Sequence, residues 1–114
     1  EGAYLFGSNL VEVNLKNANL EGANLSMANL KGANFEGARL GGTDFSGANL
    51  EGVTFEGANL EGANLEGANL TFAKLAGANL GDANLLGANL EGANVELAIS
   101  NEGTVWPSGS YSDL

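Results

Sequence analysis

Residues 58–70 read ANLEGANLEGANL, and the leucines in that stretch, Leu60, Leu65 and Leu70, are five residues apart. Followed outward in both directions, the register never breaks. An apolar residue stands at every fifth position from Leu5 to Val95, and only Phe35, Phe45, Phe55 and Val95 replace leucine. Two residues before each comes a small side chain, usually Ala; one before is usually Asn; two after is usually Gly. Repetition this regular dictates the architecture of a whole chain.

A period of five suits neither regular element. On an α-helix it advances about 500° per repeat and smears the leucines around every side. On a straight strand it is odd, so successive leucines point to opposite faces. The chain must therefore turn once per repeat, by the same amount each time. Ala23 and Leu25, two apart on an extended stretch, point inward together, Asn24 points out, and Ser26 with Met27 makes the corner. Gly fills the second post-leucine position thirteen times, from Gly7 to Gly92, as the positive φ of a type II turn demands. The exceptions are Glu12, Asn17, Met27, Phe72, Asp82 and Leu97. Asn17 and Asp82 tolerate the left-handed region; the other four are expected to sit in a different turn type.

Stretches such as ANLEG (58–62 and 63–67) and ANLKG (28–32) resemble the A(D/N)LxG consensus of the pentapeptide repeat family, over residues 3 to about 98. The resemblance implies an all-β fold, a right-handed quadrilateral parallel β-helix with four pentapeptides per coil and about five coils, roughly 24 Å long. Residues 1–98 would form the β-helix and 99–114 a C-terminal capping tail. Side one then carries Leu5, Leu25, Phe45, Leu65 and Leu85; side two Leu10, Leu30, Leu50, Leu70 and Leu90. Side three carries Leu15, Phe35, Phe55, Leu75 and Val95; side four Leu20, Leu40, Leu60 and Leu80. Residues i and i+20 should stack, so Phe35 should meet Phe55. In the tail, Val105, Trp106 and Tyr111 are suitable capping material, and Pro107 cannot extend a ladder. The Thr-x-Trp-Pro-x-Gly stretch there resembles the tail of many cyanobacterial and plastid members.

Composition narrows the functional classes. The chain of 114 residues has net charge −10, four basic residues, and neither His nor Cys. The usual base, proton shuttle, thiolate and imidazole ligand are all missing, so no enzyme, metal centre or cofactor is expected. No Gly-Lys-Ser/Thr sequence makes a phosphate loop. Lys16, Lys31, Arg39 and Lys74 are scattered, and with the acidic balance they argue against direct nucleic-acid binding. No run of 18 apolar residues spans a membrane and no leader is evident, although the missing initiator Met fits a processed chain or excised fragment. An inner column of Leu and Ala should leave no cavity for a small-molecule substrate.

Three features remain as candidates for function. Glu51, Glu56, Glu61 and Glu66 are successive corners and form an acidic belt, either a surface for a basic partner or a solvated face that keeps the rod soluble. Residues 3–98 carry eleven acids and four bases, a net −7 over roughly 24 Å, against one charge per about 1.7 Å in duplex DNA. The density favours the solvated face. Asn9, Asn29, Asn49, Asn69 and Asn89 stack on side two, where identical amides are expected to form a structural ladder. Phe6, Val11, Met27, Phe72 and Leu86 are apolar side chains at outward positions, all near sides one and two. They mark either a partner surface or contacts with end caps.

These features read as a rigid interaction scaffold or accessory factor with an unidentified protein partner. The resemblance points to a cyanobacterium or chloroplast, in the cytoplasm or the thylakoid lumen. The alternative is a DNA-mimic inhibitor or protector of a type II topoisomerase, a function that other members of the family perform.

Overall fold

The computed structural model describes residues 2–107. Its backbone is a ladder of isolated parallel bridges, each joining residue i to residue i+20, from Tyr4–Asn24 through Asn59–Asn79 to Asn79–Ile99. Each 20-residue coil therefore has four sides, and every side contributes one outward residue to the ladder. The expected stacking follows: the rings of Phe35 and Phe55 lie 5.3 Å apart and 24° from parallel.

One repeat shows why the sequence folds this way. The N–H groups of Leu60 and Gly62 donate to the carbonyls of Asn79 and Gly81 in the next coil, each at 2.8 Å. Asn59 donates to Ala38 in the preceding coil at 2.9 Å, and Ala63 closes the turn onto the Leu60 carbonyl at 2.9 Å. The remaining N–H, that of Glu61, donates to the Asn59 side-chain Oδ1 at 3.0 Å. Every backbone N–H of the repeat is thus satisfied, as a tightly wound backbone requires.

That last bond adds a second role to the one expected for the asparagines. Every Asn or Asp one residue before the central apolar position, from Asn9 to Asn94, accepts from the N–H two residues on. The ladder along side two is weak by comparison: Asn49 donates to Asn29 at 3.3 Å and Asn69 to Asn49 at 3.5 Å, the limit of a hydrogen bond. Asn recurs because its short amide closes its own corner.

The corners hold a second correction. Glu12, Met27, Phe72 and Leu97 do not adopt another turn type; like Asn17 and Asp82 they have φ between 56° and 64°. Each such residue costs about 1–2 kcal/mol relative to glycine's freedom. The winding imposes it, because the N–H groups of Met27 and Phe72 still donate to the next coil, to Ser46 and Glu91, at 2.9 Å each. A different turn there would throw every later coil out of register. Their side chains lie along the corner onto the glycine one coil further on. A Cβ at Gly92 would come within 2.6 Å of the Phe72 ring, and one at Gly47 would strike the Met27 sulfur. Leu97, 81% exposed with φ 64°, gains nothing from burial. Leu97→Gly is expected to raise stability by roughly 0.5–1 kcal/mol, the strain relieved less the entropy of the added glycine. Thermal melting would show it as a rise in Tm.

The interior is a continuous apolar column from Ala23 to Leu90, with Phe35, Phe45 and Phe55 fully buried at its middle. Thr43 takes an alanine position, buried, and donates its hydroxyl to the Leu20 carbonyl at 2.8 Å. Leu5, Leu10, Leu15 and Leu20 in the first coil and Val95 near the end are only half-buried, because a neighbouring coil covers them on one side alone.

The ladder does not stop at residue 98. Ile99 bridges Asn79, and after one extra residue in the corner Asn101-Glu102-Gly103, Val105 bridges Asn84 at a separation of 21. The Asn101 side chain holds that enlarged corner, accepting from the N–H groups of Gly103 and Asp82 at 2.9 Å each. Thr104 repeats the role of Thr43, donating to the Leu80 carbonyl at 2.7 Å, and Trp106 packs against the core. Tyr111, expected as capping material, lies outside the described residues.

Candidate functional site

Four corners separate the four sides, and side two lies between corners one and two. Corner one carries Phe6, Met27 and Leu86; corner two carries Val11 and Phe72. All five are exposed, Met27 and Phe72 most fully at 60% and 61%. The winding therefore brings residues up to 80 positions apart onto the two edges of one side. On that side the outward residues are the uncharged Asn9, Asn29, Asn49, Asn69 and Asn89.

The acidic belt is arranged otherwise. Glu51, Glu56, Glu61 and Glu66 occupy four different corners, so they point in four directions around the rod and build no common patch. Glu51 is also the least free of them, 4.0 Å from Lys31 one coil below. Lys16 sits 3.5 Å from Glu36 in the same manner, and Arg39 meets Glu21 at 2.9 Å. These pairs are largely exposed and contribute little stability, but they cancel charge locally. The bases seen as scattered in the sequence are thus each stacked on an acid, Lys74 apart.

Tyr4, Leu97, Ile99 and Val105 are further exposed apolar residues; the reading of the sequence named Leu97 only as a corner and Val105 only as capping material, and did not single out Tyr4 or Ile99. The signal was present: each takes an outward position of the repeat, where Asn, Gly or a charged residue is usual. Tyr4 and Phe6 form a parallel pair, ring centroids 6.3 Å apart. Among the described residues, no helix is long and apolar enough to cross a membrane.

A four-sided solenoid wound from five-residue repeats, with an Asn-capped turn at each corner, defines a class of structural rods. The chain belongs to the pentapeptide repeat family: the model for pentapeptide repeats matches residues 1–37, 28–67 and 63–99. No curated protein matches it significantly. Among solved structures, it is similar to a pentapeptide repeat protein from the cyanobacterium Cyanothece, at 36% identity and TM-score 0.83 over 92% of this chain and 88% of that one. It is also similar to a pentapeptide repeat protein of the Arabidopsis thaliana thylakoid lumen, at 30% identity and TM-score 0.56, covering 82% of this chain and 66% of that one. The plasmid-mediated fluoroquinolone resistance protein QnrB1 matches at 23% identity and TM-score 0.41, over 70% of this chain and 44% of that one, and carries no argument about function.

Proposed function

We propose that the chain is a non-enzymatic rod, right-handed and of about five coils, that serves as a protein–protein interaction scaffold or accessory factor. In this reading the stretch from residue 99 onward, ladder residues Ile99 and Val105 included, caps the C-terminal end of the rod. Side two and its edges make the partner surface. One observation carries the reading: Phe6, Met27 and Leu86 on one edge, and Val11 and Phe72 on the other, flank a side with no charged outward residue. A protein of net charge −10 whose side-two outward column is uncharged, and whose edges there carry exposed apolar groups among Glu12, Lys31, Glu51, Glu66 and Glu91, is shaped for contact along that column. The similarity to proteins from a cyanobacterium and a thylakoid lumen supports a cyanobacterial or chloroplast setting, cytoplasm or lumen.

The topoisomerase-directed DNA mimic is the competing reading, and the dispersal of Glu51, Glu56, Glu61 and Glu66 over four corners counts against it. The two are separated by affinity capture at graded salt. A scaffold using side two should lose its partner at least tenfold on Phe72→Ser or Leu86→Ser, with little salt dependence. A mimic should instead release its partner as salt rises and when the four glutamates become Gln. Inhibition of type II topoisomerase supercoiling, abolished by those Gln substitutions, would replace the scaffold with the mimic.

A further inference from the structure

We propose that side one is a second docking surface and that it takes a basic amphipathic helix of a partner protein. The helix lies along the rod with its apolar face on corner one and its cations toward corner four. This surface shares corner one with the surface proposed above but does not depend on it. Corner four is the turn from side four into side one, so corners four and one are the two edges of side one.

The two edges differ in kind. Corner one carries Phe6, Met27 and Leu86, and the outward column of side one adds Tyr4 at one end and Val105 at the other, all exposed. Tyr4 and Phe6 lie parallel with ring centroids 6.3 Å apart, so apolar surface crosses from the corner onto the side. Corner four instead carries Glu21, Glu61, Asp82 and Glu102, while Asp44 stands on side one and Glu66 on corner one. All four bases of the chain lie elsewhere: Lys16 on corner three, Lys31 on corner two, Arg39 outward on side four and Lys74 outward on side three. Arg39 alone reaches across, and Glu21 takes it up at 2.9 Å. Glu61, Glu66, Asp82 and Glu102 are exposed and make no ion pair among the described residues. Every other side has a base on its face or on an edge. Side one therefore sets an apolar edge against an uncompensated acidic one, the complement of a segment that carries cations beside apolar groups.

The backbone decides that the occupant is a helix. In the side-one repeat 64–68, the N–H groups of Leu65 and Gly67 donate to the carbonyls of Asn84 and Leu86 at 2.7 and 2.9 Å. Asn64 donates to Thr43 at 2.9 Å, Ala68 to Leu65 at 3.0 Å, and Glu66 to the Asn64 side chain at 3.0 Å. The side thus offers no free strand edge, and a segment lying on it must satisfy its own backbone. An α-helix does so and presents one apolar face to the surface beneath it. Length agrees with this. Phe6 and Leu86 are 80 residues apart, four coils of twenty, or about 19 Å at the usual strand separation. A helix covers that distance with roughly 13 residues, and the rod is 33 Å long.

The test uses the full chain and three labelled peptides of about 14 residues, read by fluorescence anisotropy. One has Leu on one helical face and Lys on the other; the second has Glu in place of every Lys; the third has Ser in place of every Leu. The Leu–Lys peptide should bind at roughly micromolar strength, and more weakly as salt rises. The Leu–Glu peptide should not bind, and the Lys–Ser peptide should bind at least tenfold more weakly. Met27→Gly with Leu86→Ser should weaken the Leu–Lys contact at least tenfold. Glu61→Gln with Asp82→Asn should weaken it about threefold, as the loss of two exposed ion pairs does. Both double variants should fold, because Gly suits the φ of 60° at Met27 and Asn the φ of 56° at Asp82. Phe72→Ser, and Glu56→Gln with Glu96→Gln on corner three, should leave the contact unchanged.

Failure of the Leu–Lys peptide to bind, equal binding of the Lys–Ser peptide, or an equal loss from the corner-three pair would each overturn the proposal. A loss on Phe72→Ser in place of the Met27 and Leu86 pair would put the helix on side two, which overturns side one and leaves the earlier surface standing. Peptide binding as expected, beside a captured partner that Phe72→Ser does not release, would support side one and overturn side two.

Discussion

Phe45→Ala is expected to cost about 3–5 kcal/mol, at the upper end of what any single side chain of this rod can lose. Phe45 reaches inward from side one and meets two rings from side three at once. Its centroid is 5.7 Å from those of Phe35 and Phe55, at 81° and 69°, while those two stack on each other. Removing it leaves a cavity at mid-rod and breaks both edge-to-face contacts. The coils above and below cannot collapse into the gap, because bridges at fixed separation hold them. Urea unfolding should show the loss as a lower midpoint, and a cost below 1 kcal/mol would contradict the packed column.

Leu60→Ala should cost about 2–5 kcal/mol, whereas Leu5→Ala should cost much less. Leu60 is fully buried, and its outward neighbour Asn59 bridges both Arg39 below and Asn79 above. Leu5 is half-buried in a coil with a neighbour on one side only. In a solenoid, stability is a sum of repeat and nearest-neighbour terms, so position along the rod sets the penalty for an identical change. Equal losses in paired urea titrations would show that the stack does not behave as a one-dimensional array.

The corners show how far local reasoning reached. Turn preference placed Gly correctly at thirteen corners but placed Met27 and Phe72 in the wrong turn, because propensity is a local quantity of about 1–2 kcal/mol. Against it stand the inter-coil bonds that the N–H groups of Met27 and Phe72 make, together with the register of every later coil. The tertiary term is larger, and the strained conformation persists. Which glycines are obligatory is equally invisible locally. Gly47 and Gly92 are required by Met27 and Phe72, residues twenty positions earlier that lie on top of them.

The tail was underread for a related reason. NEGTVW breaks the five-residue spacing by one, so the reading ended the coils at 98. The structure absorbs the extra residue in a three-residue corner held by Asn101 and resumes the ladder at Val105. Thr43 was the clue within the chain. A threonine buried in an alanine position bonds a carbonyl of the preceding coil there, and Thr104 does the same.

What the sequence determined by itself is the period, the inward column and the turn at every corner. Those follow from side-chain size and backbone freedom repeated in register, and they need no distant partner to be legible. Only the tertiary structure decided what the outward residues do, because their neighbours are twenty residues away rather than beside them. It gave the asparagines a capping role beside the weak ladder on side two and set three bases against acids one coil away. It also gathered five separate apolar residues along the edges of one uncharged side, since the winding angle, and not the chain, determines which residues share a face.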